Sequence, residues 1–457
     1  MNKTEMEKHP TRALAKFAVD LRFEDIPIDS RDHFKMQILD TLGSALYASK
    51  TPWGRIMADY VRDMDGRKES TVWGYGLKGT CVDAALANGT VSHGFELDDG
   101  FAVSLIHAGA VSVPAALAVA ERRGGVDGKE FIAAVVAGYE VGDRVGRTMG
   151  WHHFKRGYHP AGTHGTWASA ATTGKLLRLN EEQMVNAFGI AASQSAGLMA
   201  AQYGAMVKRM HAGRAAQSGL MAALLAQRGF TGIVNVLEVE FGGYATLSPV
   251  YEVNKATEAL GEKLFSTESM CKPMYASCGS LHIEAARKLK NTYRIKPEDI
   301  EKIQLKMTEN YYLHLGHPYE VGPCIWELNI TAAQFNAAFG VAIELLGRKH
   351  LDQYTDEGVK DPAVLNLTRR TECTIDPLLG VDSHAYTVEI RMKDGQVHTA
   401  TADSMALLTE KDVQNKFREL AVKALDKDTV EKILETVTHL EALKDVTRLA
   451  DMLRPGT

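Results

Sequence analysis

The sequence predicts a mainly α-helical protein: a large all-helical domain and a smaller α+β domain inserted near its C-terminal end. Three observations predict it. Small and apolar residues recur at helical spacing through roughly the first 260 residues. Strict apolar/polar alternation appears only between about residues 300 and 400. Amphipathic helical patterning then returns from about residue 408. The domain limits that follow are 1–265 with 405–457 for the helical part and 266–404 for the α+β part.

In chain order, "RDHFKMQILDTLGSALYAS" places Phe34, Ile38, Leu42 and Ala45 on one helical face. After Pro114, "AALAVAE" is helical, so His107, Ala108 and Gly109 are expected in the loop leading into it. "DGKEFIAAVVAGYEVGDRVGRTM" and "NEEQMVNAFGIAASQSAGLMAAQ" are too rich in Ala and Gly for surface helices. Small residues allow close helix packing, which predicts the centre of a buried bundle. "GRAAQSGLMAALLAQRGF" continues the pattern and stops at Gly229, a C-cap signal. The texture changes near residue 265. "IEKIQLKMTE" reads as a half-buried strand, and "AYTVEIRMKDGQVHTATA" as a hairpin turning at Asp394-Gly395. "ITAAQFNAAFGVAIELL" and "DPAVLNLTRRT" read as helices between them, and "TEKDVQNKFRELAVKAL" and "DTVEKILETVTHL" as the returning helices.

Composition narrows the partners. The chain has 457 residues, 45% hydrophobic and 24% charged, ordinary for a globular protein of two or three domains. A net charge of −5 argues against nucleic acid and acidic membrane surfaces. The start, "MNKTEMEKHPTRALAKF", carries charges where a signal peptide needs an apolar run, and no apolar run is long enough to span a bilayer. Cys81, Cys271, Cys278, Cys324 and Cys373 are scattered and form no CxxC pair, which predicts reduced thiols, a cytoplasmic setting and no structural zinc.

Five stretches carry chemistry-bearing residues. "FELDDGFAVSLIHAG" sets Glu96, Asp98 and Asp99 among apolar neighbours, with His107 just beyond. Buried carboxylates are costly unless paired, so the stretch either caps a helix or lines a pocket. On a helix ending at Gly100, Glu96 and Asp99 would share a face. "HHFKRGYHPAGTHGTWASAATTGKLL" crowds His152, His153, His159 and His164 ahead of an Ala-rich helix, whose N-terminus favours anions. "YGAMVKRMHAGRAAQSGLMAA" gathers Lys208, Arg209, His211 and Arg214 at a helix start, where cations oppose the dipole unless an anion is bound. "ESMCKPMYASCGSLHIEAARKLKN" brings Lys272, Cys278 and His282. Cys278 lacks a paired base and reads as a structural thiol. In "HLGHPYEVGPCIWELNITAAQF", Tyr319 sits in a Gly/Pro-bearing loop where it either packs or donates a proton.

Taken together and in order, "ANGTVSHGFELDD…HAGAVSVPAALAVAE", "GYHPAGTHGTWASAA", "KRMHAGRAAQSGLMAALLAQRGFTG", "CKPMYASCGSLH" and "AAQFNAAFGVAIEL" resemble the MmgE/PrpD family over essentially the whole chain. That family includes 2-methylcitrate dehydratase, cis-aconitate decarboxylase and iminodisuccinate epimerase. The resemblance implies a helical domain, a smaller α+β lid, a cleft between them and a homodimer. It maps the cleft residues of the decarboxylases onto Asp99, His107, His159, Lys208, Lys272 and Tyr319. Two positions depart from the pattern: Gly100 follows the paired aspartates where threonine is common, and Ser277 stands where the decarboxylases carry histidine.

The expectation is a cofactor-independent, metal-free lyase of a di- or tricarboxylate, with dehydration preferred and dicarboxylate epimerisation or cis-aconitate decarboxylation as alternatives. His107 and His159 are expected to handle protons and Asp99 to orient a histidine. Lys208 and Tyr319 complete the catalytic set, and Lys272, Arg209 and His282 hold substrate. Cations around a developing enolate lower its energy, and histidine titrates near neutrality. Two readings of another class stand beside this: a non-catalytic metabolite-binding helical protein, and a metal-dependent hydrolase built on the 152–164 histidines.

Overall fold

The computed structural model describes residues 3–320, 329–380, 383, 385–403 and 407–456. It is mainly α-helical with a small sheet, and it divides into two compact units. The first comprises Met1–Met199, Val207–Cys271 and Leu408–Thr457; the second comprises Ala200–Met206 and Lys272–Leu407. The chain therefore leaves the first unit and returns to it. Cys324 and the expected boundary at 404/405 lie outside the described residues.

In the first unit, helix Ile28–Ala48 buries Phe34, Ile38, Leu42 and Ala45, the face its spacing predicts. The helices Cys81–Ser92, Gly109–Arg123, Gly128–Arg147, Pro160–Leu176 and Val207–Gln227 form a centre that is buried nearly all round. Glycine permits this. A Cβ on Gly89 would lie 2.7 Å from the Gly213 Cα, so helices 81–92 and 207–227 touch backbone to backbone there. That crossing brings the end of one helix, at His93, to the start of the other, at Lys208. Gly229 closes the second helix with φ +87°, as its position predicts.

One boundary differs from expectation. The helix after His107 begins at Gly109 and runs through Pro114, five residues earlier than the proline suggests. Pro114 is the sixth residue of this helix, past the first turn, so the helix continues through it with one backbone hydrogen bond missing, since proline has no N–H for the Ala110 carbonyl. The returning segment supplies helices Glu410–Ala421, capped by Thr409, and Lys427–Thr438, capped by Asp426. The first of these lies against helix 28–48, where Gly43 leaves room for Phe417.

The second unit holds a hydrogen-bonded sheet of four strands. Numbering strands along the chain, β1 (Ser70–Val72) and β2 (Leu77–Gly79) form a hairpin of the first unit. Here the strands are β3 (Ile300–Met307), β4 (Thr371–Ile375), β5 (Tyr386–Met392) and β6 (Val397–Ala402), in the order β4-β3-β5-β6. β3 runs parallel to β4, and the β5–β6 pair turns at Asp394-Gly395, with Gly395 at φ +88°. Helix Ser280–Tyr293 packs on this sheet. The run read as one helix from 330 is two, Ile330–Gln334 and Ala337–Leu345. Asn336 takes an extended conformation between them and its side chain accepts from the Phe339 amide, starting a new helix.

Candidate active site

Residues 93–108 connect helix Cys81–Ser92 to helix Gly109–Arg123 without helical structure, and no helix runs to Gly100. Glu96 has φ +56° and Leu105 φ +58°, a left-handed conformation costly for side-chain-bearing residues unless the surroundings impose it. Glu96 and Asp99 consequently do not share a helical face. Each finds its partner on a different element.

Lys208, 1% exposed, donates to Glu96 Oε1 at 2.6 Å and to His93 Nε2 at 2.8 Å. His93 Nδ1 in turn lies 2.7 Å from Asp98 Oδ2. Asp98 Oδ2 also lies 3.1 Å from His107 Nδ1, which donates to the Asp99 carbonyl at 2.6 Å. Asp99 Oδ1 accepts from the Gly109 amide at 3.2 Å, so it fixes the start of the following helix. The partners assign the tautomers: His93 carries its proton on Nδ1 and accepts from the ammonium on Nε2. His107 likewise carries its proton on Nδ1, which leaves Nε2 as the nitrogen with the lone pair. Its side chain is 16% exposed, whereas Glu96, Asp98 and Asp99 are 0% exposed.

His159 immediately precedes helix Pro160–Leu176, its side chain makes no capping bond, and its ring lies 5.4 Å from that of His93. Its Nδ1 is 3.1 Å from His211 Nδ1, one turn along helix Val207–Gln227 from Lys208. His107, His93, His159 and His211 thus form a continuous row of imidazoles, the first two 4.4 Å apart and the last two 5.2 Å apart by ring centre. Burial, and then the Lys208 ammonium, push His159 well below the ordinary histidine value and His211 down to about 4. His93 is lowered to about 4 mainly by burial, against the opposing pull of Asp98. His93, His159 and His211 are therefore neutral at pH 7.

The predicted site residues separate into groups. His107, His159, Lys208 and Asp99 converge in the first unit. Arg209 stands behind them, with its Nε on the Gly94 carbonyl at 2.6 Å and its guanidinium 4.1 Å over the Trp53 ring. It braces the loop. In the second unit, Lys272 is 8% exposed. His282 lies in the interior of that unit against the Tyr386 ring at 4.8 Å, lowered to about 4 by burial. Tyr319 is 3% exposed, packs 4.9 Å from the Phe339 ring and donates to the carbonyls of Asn329 and Val359 at 3.4 Å. Both are core positions of their unit. Ser277 caps locally, its Oγ accepting from the Gly279 amide at 3.1 Å and donating to the Gln334 carbonyl at 3.0 Å.

Glu96, Asp98 and His211 belong to the chemistry-bearing stretches of the sequence but carry no assigned role there, and neither does His93. For His211 a signal existed, since it lies three positions after Lys208 and so shares its helical face. His93 stands within "ANGTVSHGFELDD", a stretch that carries the family resemblance, but nothing in its spacing assigns it a role. The 152–164 histidines do not form one site: His152 is exposed, and His153 bonds Thr163 Oγ1 at 2.8 Å and the Leu247 carbonyl at 3.0 Å. His164 packs on His153, while His159 turns to His211.

His93, Asp98 and His107 present ligand atoms within 4.8 Å of one another, the one such trio among the described residues. Their separations are those of N–H···O hydrogen bonds, and the Lys208 ammonium already occupies His93 Nε2. A divalent ion there would have to displace both imidazole protons and sit beside a cation, so the donor set fits a proton network better than a metal.

Comparison with known proteins shows the family of the chain. The MmgE/PrpD N-terminal domain matches residues 12–255 and the MmgE/PrpD C-terminal domain matches residues 275–442. The chain belongs to the MmgE/PrpD family. Among its relatives, a cis-aconitate decarboxylase-like protein, oryM, of Aspergillus oryzae is 31% identical, with 98% of each chain covered. A cis-aconitate decarboxylase of Aspergillus terreus is 30% identical over 97% of this chain and 95% of its own. The Homo sapiens cis-aconitate decarboxylase is 27% identical over 92% of this chain and 89% of its own. No helix among the described residues is long and apolar enough to cross a membrane.

Proposed function

We propose that the protein is a cofactor-independent lyase of a di- or tricarboxylate, with cis-aconitate or a close analogue as its substrate. The observation that carries this reading is the run Glu96–Lys208–His93–Asp98–His107, which couples a buried lysine to two imidazoles oriented by one carboxylate. The names of the relatives supply the substrate class.

Breaking a bond next to a carboxylate leaves an electron pair that must be stabilised as an enolate-like species and then quenched by a proton. Lys208 supplies positive charge and protons where water is excluded, so its field is strong. It is already balanced by Glu96, so its role is proton donation and local charge stabilisation more than capture of substrate from solution. His107 Nε2, on a partly exposed side chain, is the base, and Asp98 stabilises the imidazolium that forms when it takes a proton. His159 is the second acid/base group, with His211 accepting or returning its proton. Lys272 is proposed as a further cation for the substrate.

A second reading, dehydration or epimerisation of a related polycarboxylate, is favoured by Ser277, which stands where the decarboxylases carry histidine. One experiment separates them: incubation with cis-aconitate, citrate, methylcitrate and iminodisuccinate in D₂O, with products followed by NMR. Release of CO₂ with deuterium at one new C–H position supports decarboxylation. Loss of water supports dehydration, and deuterium uptake without either supports epimerisation. No turnover of any of the four overturns the lyase reading.

A further inference from the structure

The carboxylates that organise the site lie on a strained loop, and the loop is held from a distant part of the chain. Lys416, on helix Glu410–Ala421, donates to the Leu97 carbonyl at 2.6 Å. Its ammonium also lies 2.6 Å from Asp40 Oδ1, on helix Ile28–Ala48. Lys416 is 2% exposed, Asp40 1% and Leu97 0%. Leu97 stands between Glu96, which pairs Lys208, and Asp98, which binds both His93 and His107. The carbonyl that Lys416 grips therefore lies between the two carboxylates that set the whole network.

Glu96 keeps φ +56° in a buried position, a conformation that relaxes unless its neighbourhood is fixed. A buried lysine is expensive, and a single donor to a backbone carbonyl could come from a neutral side chain. Lys416 combines that donor with a charge locked to Asp40, which fixes the carbonyl to two helices at once. Gly43 and Phe417 set the contact between those helices, so the distance is determined by packing.

We propose that Lys416, anchored by Asp40, is a positioning residue for the active-site loop: it reaches from the returning C-terminal segment to hold the Leu97 carbonyl and so fixes Glu96 and Asp98. This deepens the lyase reading and rests on it for the assignment of the loop as catalytic. Lys416 touches no reacting group. It acts through the loop.

The test uses the full chain with Lys416→Met, Lys416→Arg and the charge-balanced Lys416→Met/Asp40→Asn. Amide hydrogen exchange over residues 94–109 is measured beside kcat, KM and the pH profile of turnover. The double variant is expected to fold, to exchange at least tenfold faster over 94–109, and to lose about 10- to 100-fold in kcat with KM changed much less, since small misplacements of catalytic groups cost that much. Its pH profile should shift as Asp98 leaves the imidazoles. Lys416→Arg, which keeps a cationic donor, should restore part of the rate. Unchanged exchange over 94–109 and an unchanged pH profile in a folded double variant overturn the proposal. So does loss of the whole fold in both methionine variants, because the residue would then support the domain and not the loop. Exchange reads the tether whether or not any carboxylate is turned over, so failure of the lyase reading is seen separately.

Discussion

His93 and Lys208 share a hydrogen bond of 2.8 Å between two groups that would both carry positive charge in acidic water. The bond requires the imidazole to be neutral, which burial favours, while Asp98 on the far side accepts its Nδ1 proton and fixes the tautomer. This arrangement sets how the site responds to mutation and to pH.

Lys208→Met should abolish turnover and also destabilise the protein, because it takes an ammonium from the buried Glu96. Breaking a buried ion pair from one side costs about 3–5 kcal/mol. Lys208→Met/Glu96→Gln should regain most of that stability and stay inactive. Urea unfolding and a turnover assay on both variants separate the two effects. An active double variant removes Lys208 from the chemistry.

The histidines make stability fall in acid. His33, His93, His153 and His282, lowered to about 4, together with His211, and with His159 and His164 well below 6.5, all resist protonation in the folded state mainly through burial. As pH falls through 6.5, the unfolded chain takes up protons the native chain refuses. Their contribution is complete above about 6.5 and is lost as pH falls towards about 4, each at about 1.4 kcal/mol per pH unit. Asp143, pushed up to about 6 by burial, works in the opposite direction, adding stability in acid that is lost as pH rises through 6. The histidines dominate. The urea midpoint should drop steeply between pH 6.5 and 5, and a flat midpoint across that range contradicts their neutrality.

Two glycines in the loop region should behave oppositely. A Cβ on Gly109 would lie 2.5 Å from both Asp99 Oδ1 and Tyr139 Oη, and closer still to the Thr41 hydroxyl. Gly109→Ala should therefore cost about 1–3 kcal/mol and most of the activity. A Cβ on Gly100 meets only His107, at 3.6 Å, which is ordinary contact. Gly100→Ala should keep near-native stability. Melting temperatures of the pair test the contrast, and equal losses would refute the geometry.

His159→Ala should remove at least a hundredfold of activity with little change in fold. His282→Ala should do the reverse, lowering stability through the space left beside Tyr386 while the folded enzyme keeps its rate. Circular dichroism and initial rates on both decide this, and near-native turnover by His159→Ala rules out its acid/base role.

Prolonged dialysis against a strong chelator should leave turnover unchanged, since the His93–Asp98–His107 trio is engaged in hydrogen bonds. Activity lost on dialysis and restored by a divalent ion would reassign that trio as a metal site.

The helical class and strands β3, β5 and β6 were legible in the sequence, and its motifs nominated His107, His159 and Lys208 as candidates, because periodicity, turn chemistry and ordered motifs are local properties. Strand β4, directly after helix Pro362–Arg369, was not legible. Even the buried helix centre was legible, as runs of Ala and Gly too small for a surface. Which carboxylate serves which partner was decided only by the tertiary structure. Glu96 and Lys208 lie 112 positions apart, and Lys416 and Leu97 lie 319 apart. Their pairing depends on the Gly89–Gly213 crossing and on a C-terminal helix laid against helix 28–48, neither of which leaves a mark on spacing. Burial then set the protonation states, since an imidazole's charge follows from the water and ions around it and not from its neighbours along the chain.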